Sequence, residues 1–342
     1  MGNAIKIACI VAGGLIVTGL TCGFIGLAAM NFDFTKLSTE KFVTQNHTVS
    51  ESFNSIKMEK MYGNVRFVLT ENNECEVECV ENAKRPHAVT VEDNTLVIRA
   101  EDNRKWYDYI GIHFKTPTTT VYLPQTAYEE LTLQGSVSNV SLDEEFVFQS
   151  VDVQVSTGNV AIRASVEKSL SVRTSTGKIA VYGVTAQTMQ AQVSTGDITI
   201  QNCEAQSLTV KTTTGDMDLN SVKAGDIQAQ ASTGDIDINE SKAQSLTVKT
   251  TTGDIDLNSV IAEGDMRITA DTGDVELSAC DAGALYIRTD TGDVVGTLLS
   301  DKVFFAQSDT GKIRVPNTIE GGRCEIRTDT GDITMRVIPQ NP

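Results

Sequence analysis

Proline is nearly missing from this chain: there are six in 342 residues, and none falls between Pro124 and Pro316. Because proline cannot donate an N–H to a strand ladder, that gap admits a long run of paired strands. Aromatic residues make up 6% of the chain, with a single tryptophan, and three scattered histidines, His47, His87 and His113, give no Cys/His spacing of a metal site. Positive charge is short as well. Against 45 acidic residues stand 28 basic ones, a net charge of −17, which repels nucleic-acid phosphates and anionic head groups. Nucleic acid is excluded as a ready partner, and cations or basic partners fit better. No phosphate loop, nucleophile beside a base, or pair of convergent catalytic carboxylates is found, so neither enzyme activity nor a small-molecule substrate is expected. The seven cysteines form no disulfide framework. Cys9 and Cys22 lie in an apolar N-terminal run, and the odd five that remain, Cys75, Cys79, Cys203, Cys280 and Cys324, occupy apolar alternating positions, as small core residues do.

What the chain has in abundance is one dipeptide. Beyond the apolar N-terminal run, Thr-Gly occurs with its glycine at 158, 177, 196, 215, 234, 253, 273, 292, 311 and 331, a spacing of 19 or 20 residues. A fixed period of that size marks a repeat architecture. Counting from each glycine gives columns: seven before it stand Val151, Leu170, Met189 and their successors, five before it Val153, Val172 and Ala191, two after it Val160, Ile179 and Ile198, four after it Ile162, Val181 and Ile200. Across these columns only Gly296 lacks an apolar side chain. Inward residues two apart on either side of a turn describe two strands per repeat, which bury their apolar faces only if neighbouring repeats stack. The fold class is therefore all-β: a parallel β-solenoid of about ten coils at ~4.8 Å each, right-handed by the usual rule of parallel crossovers. A stacked sandwich or propeller is the alternative. Glycine supplies the turn, threonine ahead of it a stacked hydroxyl ladder, and the Asp that usually follows a local hydrogen-bond acceptor.

Ahead of the repeats, Ile5 to Met30 carries one charge, Lys6. That run is long enough to cross a ~30 Å hydrocarbon core as a helix. Lys6 precedes the expected membrane segment 7–30 and a mixed group, Asp33, Lys36, Glu40 and Lys41, follows, so the positive-inside rule directs the N-terminus to the cytoplasm and the bulk of the chain outside the cell membrane. A cleaved signal peptide is the rival reading, with Gly26-Leu27-Ala28 as its small-x-small site. The division expected is 1–6 cytoplasmic, 7–30 transmembrane helix and signal anchor, 31–50 linker, 51–150 irregular β cap, 151–338 solenoid and 339–342 tail. Within the cap, period-2 runs at 55–58, 64–69, 76–80, 95–98, 110–114 and 119–123 read as strands.

Two features break the pattern. Residues 101–111, EDNRKWYDYIG, put Trp106 beside Tyr107 and Tyr109, aromatic rings suited to a partner-binding loop or to covering the end of the core. In the late coils a second Asp precedes the glycine, so Asp271 with Asp274, Asp290 with Asp293 and Asp329 with Asp332 form D-T-G-D turns. Stacked carboxylates repel, and Ca²⁺ with its oxygen ligands would relieve that, as would solvent and local hydrogen bonds. D-T-G also opens the aspartic-protease motif, but that chemistry needs two carboxylates sharing one proton, not a periodic turn.

These columns, with Phe53-Asn54-Ser55-Ile56, Tyr62-Gly63-Asn64-Val65, Val121-Tyr122-Leu123-Pro124 and the S/D-T-G-D turns, resemble the bacterial putative adhesin family of strand-repeat domains over residues 50–337. The resemblance implies a surface-exposed β-solenoid with a role in adhesion or in envelope-stress responses, and its motif defines no functional residues to carry over. Two functions follow as expectations: a non-enzymatic, membrane-anchored surface module that binds a protein or cell-surface polymer, or an accessory or sensor subunit of an envelope-stress response acting through the membrane helix.

Overall fold

The computed structural model describes residues 2–32, 42–70, 74–106 and 116–338. The apolar N-terminal run forms α1 (Asn3–Ala29), whose span Ile5–Ala29 has no part buried against the rest of the chain. Beyond it every regular element among the described residues is a strand. Residues 33–41 of the expected linker, the expected strand at 110–114, and the tail at 339–342 lie outside the described residues.

In each repeat a long strand meets a short one at the Thr-Gly corner. β10 (Val147–Thr157) is followed by β11 (Val160–Ile162), β18 (Lys223–Thr233) by β19 (Ile236–Asn239), and β20 (Lys242–Thr252) by β21 (Ile255–Asn258). Equivalent strands of successive coils pair in parallel with no slip between columns, Ile227 on Leu246 and Ile236 on Ile255. A one-residue slip would turn the apolar set outward, so the alternation itself fixes this register. The result is a parallel β-solenoid of about eleven turns, with a long-strand and a short-strand sheet enclosing one continuous core. Cys75, Cys79, Cys203, Cys280 and Cys324 are buried free thiols in it, and burial raises the pKa of Cys75, Cys79 and Cys324 to about 12. At Gly296, the one gap in the columns, the Met335 side chain fills the space: a Cβ there would meet its Cε at 2.8 Å.

The buried hydroxyls belong not to the threonine before each glycine but to one two positions earlier. Thr174, Thr212, Thr250, Thr289 and Thr328 are buried and donate to the carbonyl oxygens of Gly158, Gly196, Gly234, Gly273 and Gly292 at 3.1–3.4 Å. The residue after the glycine forms a second ladder. The Oδ1 of Asp216, Asp235 and Asp254 accepts the backbone N–H of the same column one coil on, at 2.8–3.0 Å. Lys178 interrupts that column, and its ammonium pairs with Asp197 at 2.8 Å.

Parallel stacking begins ahead of the first Thr-Gly corner. β8 (Ala127–Val137) pairs with β10 and β9 (Val140–Leu142) with β11, turning at Ser138-Asn139 without glycine. Both ends depart from chain order. β2 (Ser55–Tyr62) lies between β6 (Thr95–Ala100) and β8, and β3 (Asn64–Thr70) between β7 (Thr118–Pro124) and β9. At the other end β27 (Gly322–Thr330) lies between β23 (Val275–Thr291) and β25 (Lys302–Ser308), while β28 (Ile333–Val337) lies between β24 (Val294–Leu298) and β26 (Ile313–Arg314). The first and last coils are thus inner layers. Antiparallel strands close the N-terminal end: β4 (Cys75–Asn82) on β7, β5 (His87–Glu92) on β6, and β1 (Phe42–Val49) on β4. β1 falls in sequence read as linker, because an edge strand with one largely exposed face keeps little alternation: only Val49 of it is buried.

Candidate interaction surface

The late Asp turns split between two environments. Asp274, Asp293 and Asp332 continue the corner ladder, their Oδ1 atoms accepting N–H bonds of 2.7 Å from Asp293, Asp332 and Lys312. Asp271, Asp290 and Asp329 end the long strands, where Arg288 pairs with Asp290 at 3.0 Å and Arg327 approaches Asp329 at 3.9 Å. The Asp290 and Asp329 sets therefore meet backbone donors on one side of the corner and guanidinium groups on the other. Trp106, after β6, is 77% exposed; Tyr107 and Tyr109 lie outside the described residues. The stretch before Trp106 is tied down, with the N–H groups of Glu101 and Asn103 bonded to the carbonyls of Pro86 and Lys84, and Arg104 in a two-point pair with Asp102. That guanidinium holds the Asp102 carboxyl well below the usual range.

A larger feature escaped the column reading, which followed inward residues. Between the inward positions of the short strands, Asp218, Asp237, Asp256 and Glu276 face outward and stack directly, residue on residue, in successive coils. Beside them runs the corner ladder of Asp216, Asp235, Asp254 and Asp274, all exposed. The signal was present as T-G-D-x-D-x-N, read two residues past the corner. With coils ~4.8 Å apart, this makes two adjacent columns of carboxylates on one face.

Like charges placed this way raise each other's pKa. Burial first, then Asp256, Asp218, Asp235 and Asp216, push Asp237 up; burial, then Glu276, Asp254, Asp235 and Asp274, push Asp256 up. The folded chain therefore holds these protons more readily than the unfolded chain, so the repulsion is present at neutral pH and fades as pH falls through folded values above the ordinary 3.8. Glu59, Asp102 and Asp197 are shifted the other way, by Lys57, Arg104 and Lys178, and their stabilisation starts to fade only below the ordinary carboxylate values. A higher melting temperature is expected at mildly acid pH than at pH 7. Asp237→Asn should add about 0.2–1 kcal/mol of stability at pH 7 and flatten that dependence. Thermal melts of both chains across this range check it; an unchanged pH 7 value would mean that solvent already screens the column.

Fold and surface together define a class: a parallel β-solenoid with an N-terminal apolar helix that fits a membrane anchor or a signal sequence, and with one strongly acidic sheet face. The Toastrack DUF4097 family model matches residues 53–263, and the chain belongs to that family. Among solved structures it is similar to a putative adhesin from Bacteroides fragilis NCTC 9343, at 15% identity over 88% of this chain and 99% of that one, with a TM-score of 0.38. It is also similar to a putative lipid binding protein from Parabacteroides distasonis ATCC 8503, at 12% identity over 86% and 97%, with a TM-score of 0.43. A putative adhesin from Parabacteroides merdae ATCC 43184 matches at 12% identity over 88% and 98%, with a TM-score of 0.41. No curated protein matches the chain.

Proposed function

We propose that this chain is a non-enzymatic module held at the outer face of the cell membrane by α1, and that it works by presenting its acidic sheet face to a basic partner, a lysine- or arginine-rich protein segment or a cationic surface polymer. The observation that carries this reading is the double carboxylate column, in which Asp218, Asp237, Asp256 and Glu276 stack beside the corner aspartates. The fold keeps these groups rigid and evenly spaced, so a partner meets them without an ordering cost. Repulsion left in the free protein is what a cationic ligand would relieve, and electrostatic attraction of this kind raises the association rate in a salt-dependent way.

The test uses the full chain in nanodiscs and an oligolysine peptide as probe. Binding is expected at low ionic strength, about tenfold or more weaker in the variant carrying D218N, D237N, D256N and E276Q, and weaker again as salt is raised. Equal binding by that variant and the unmodified chain would move the site off this face. Display of the chain on intact cells, with protease added outside, tests the orientation: digestion of the solenoid is expected.

A further inference from the structure

One buried group in the N-terminal cap is unlike anything in the repeats. Cys79 on β4, Glu81 at its end and His87 at the start of β5 bring a thiol, a carboxylate oxygen and an imidazole nitrogen within 4.8 Å of one another, the sole such grouping of metal-ligating side chains among the described residues. All three are at least nine-tenths buried, at 0%, 4% and 5% exposure. Glu81 Oε2 lies 2.7 Å from His87 Nδ1 and also accepts the His87 backbone N–H at 2.7 Å, so the turn between β4 and β5 holds the carboxylate and the ring in one fixed arrangement. The ring is clamped further by Tyr62, stacked on it at 5.3 Å, and the Arg85 guanidinium lies over the tyrosine ring at 3.4 Å. Thr119 is the remaining neighbour, its hydroxyl 3.5 Å from His87 Nε2, a long contact.

A second observation comes from a different strand. His47 on β1 is directly opposite Val77 of β4, one diagonal step from Cys79, and its Nε2 is buried with no hydrogen-bond partner. Residues opposite each other in an antiparallel pair share a face, and a diagonal neighbour is within reach of a long side chain. A buried imidazole nitrogen without a partner is costly unless something else binds it.

We infer that Cys79, Glu81 and His87, with His47 as fourth donor, form a site for one divalent transition-metal ion of the zinc type. Mixed sulfur, nitrogen and oxygen donors in a set of four suit tetrahedral Zn²⁺, whereas Ca²⁺ takes six to eight oxygens. Binding releases the Cys79 proton, while the ring proton that His87 Nδ1 shares with Glu81 moves to Nε2, beside the Thr119 hydroxyl, and the 2.7 Å contact of Glu81 with His87 opens slightly to take the ion between them. A cysteine-histidine-carboxylate nucleophile is the other chemistry these residues could serve, but Cys79 is fully buried and no substrate can reach it. Because His47 belongs to β1 and the other donors to β4 and β5, an ion here would fasten the strand nearest the membrane helix to the cap.

The test uses the full, tag-free chain in detergent micelles, stripped with a chelator, loaded with Zn²⁺ or Co²⁺ and desalted. About one ion per chain should be retained, and the Co²⁺ form should show the charge-transfer absorption of a cobalt–thiolate bond. Cys79→Ser and His87→Gln should each abolish retention, and His47→Gln should weaken it, while Cys75→Ser, a buried cysteine of the same strand outside the cluster, should retain the ion. Circular dichroism of each variant separates loss of the site from loss of the fold. No retained ion in the unmodified chain, no thiolate band, or retention unchanged in folded Cys79→Ser would overturn the assignment.

Discussion

Gly234→Ala is expected to break the solenoid at its middle. Gly234 turns the chain between β18 and β19 with φ at +140°, and a Cβ built there would stand 2.1 Å from the carbonyl oxygen of Gly215 in the coil below. No side-chain rotation relieves that overlap, because the obstacle is backbone. The carbonyl of Gly234 also receives the Thr250 hydroxyl, and its N–H donates to Thr252. The coil must shift as a unit, and both ladders shift with it. We expect a loss of about 4–5 kcal/mol, in the exceptional class for a single substitution. For a domain this long that corresponds to a fall of roughly 8–20 °C in melting temperature. Each repeat leans on its neighbours alone, so the damage should be local: amide exchange accelerates from Glu204 to Asn258, the Gly234 coil and the coil on either side of it, while the outer coils stay protected. Uniform acceleration along the chain would contradict the nearest-neighbour picture.

The same substitution logic has a control in the other corner of each coil. Gly183, Asn202, Ser221, Glu240, Ser259 and Ala279 occupy equivalent positions, all with φ between +49° and +67°, and a Cβ at Gly183 meets nothing within 4 Å. Gly183→Asn should therefore leave the melting temperature almost unchanged. This contrast also marks what was legible in the sequence. The Thr-Gly corner could be read because, from Gly158 onward, close backbone approach leaves no room for a Cβ, so the same residue recurs. The second corner asks for left-handed backbone but leaves room, and five different residue types in six coils give no pattern to find. A similar asymmetry separates the two uses of aspartate. The corner ladder was visible as one residue after glycine, whereas the outward column of Asp218, Asp237 and Asp256 stands between the buried positions, where the apolar alternation carries no signal. Cys79, Glu81 and His87 were invisible as a group because turn geometry between β4 and β5, not spacing, unites them.

The order of the coils was equally hidden, for a physical reason. Every coil offers the same columns to its neighbours, so the pattern states that coils stack but not which stacks on which. The clue lay in the connection. Pro316 is the first proline after Pro124, and it opens the segment that returns from β26 to β27. Gly321 and Gly322 then thread the slot: a Cβ at Gly321 would lie 1.9 Å from the Asp301 oxygen, and one at Gly322 2.2 Å from that of Gly283.

Ending the chain at Asn317 is accordingly expected to remove two coils from the fold, not one. β25 pairs with β27 alone and β26 with β28 alone, so truncation leaves both without any sheet partner. It also uncovers Leu285 and Ile287, which now lie under Cys324 and Ile326. Opening a fully buried aliphatic side chain to water costs about 1.5–3 kcal/mol, and the contacts of β24 with Ile333 and Met335 are lost as well. Residues 302–315 should become fully exchangeable and open to protease, and the melting temperature should fall further than with any single core substitution in the last coil, Ile326→Ala included. Removing the outermost coil of an ordinary solenoid would only move the edge inward by one layer. Here the last coil is the layer that joins the ninth to the eighth, so the chain's end acts as a bolt rather than a lid. Continued protection of 302–315 in the truncated chain would mean that β25 can drop onto β23, since the columns match, and the interleaving would then add little to stability.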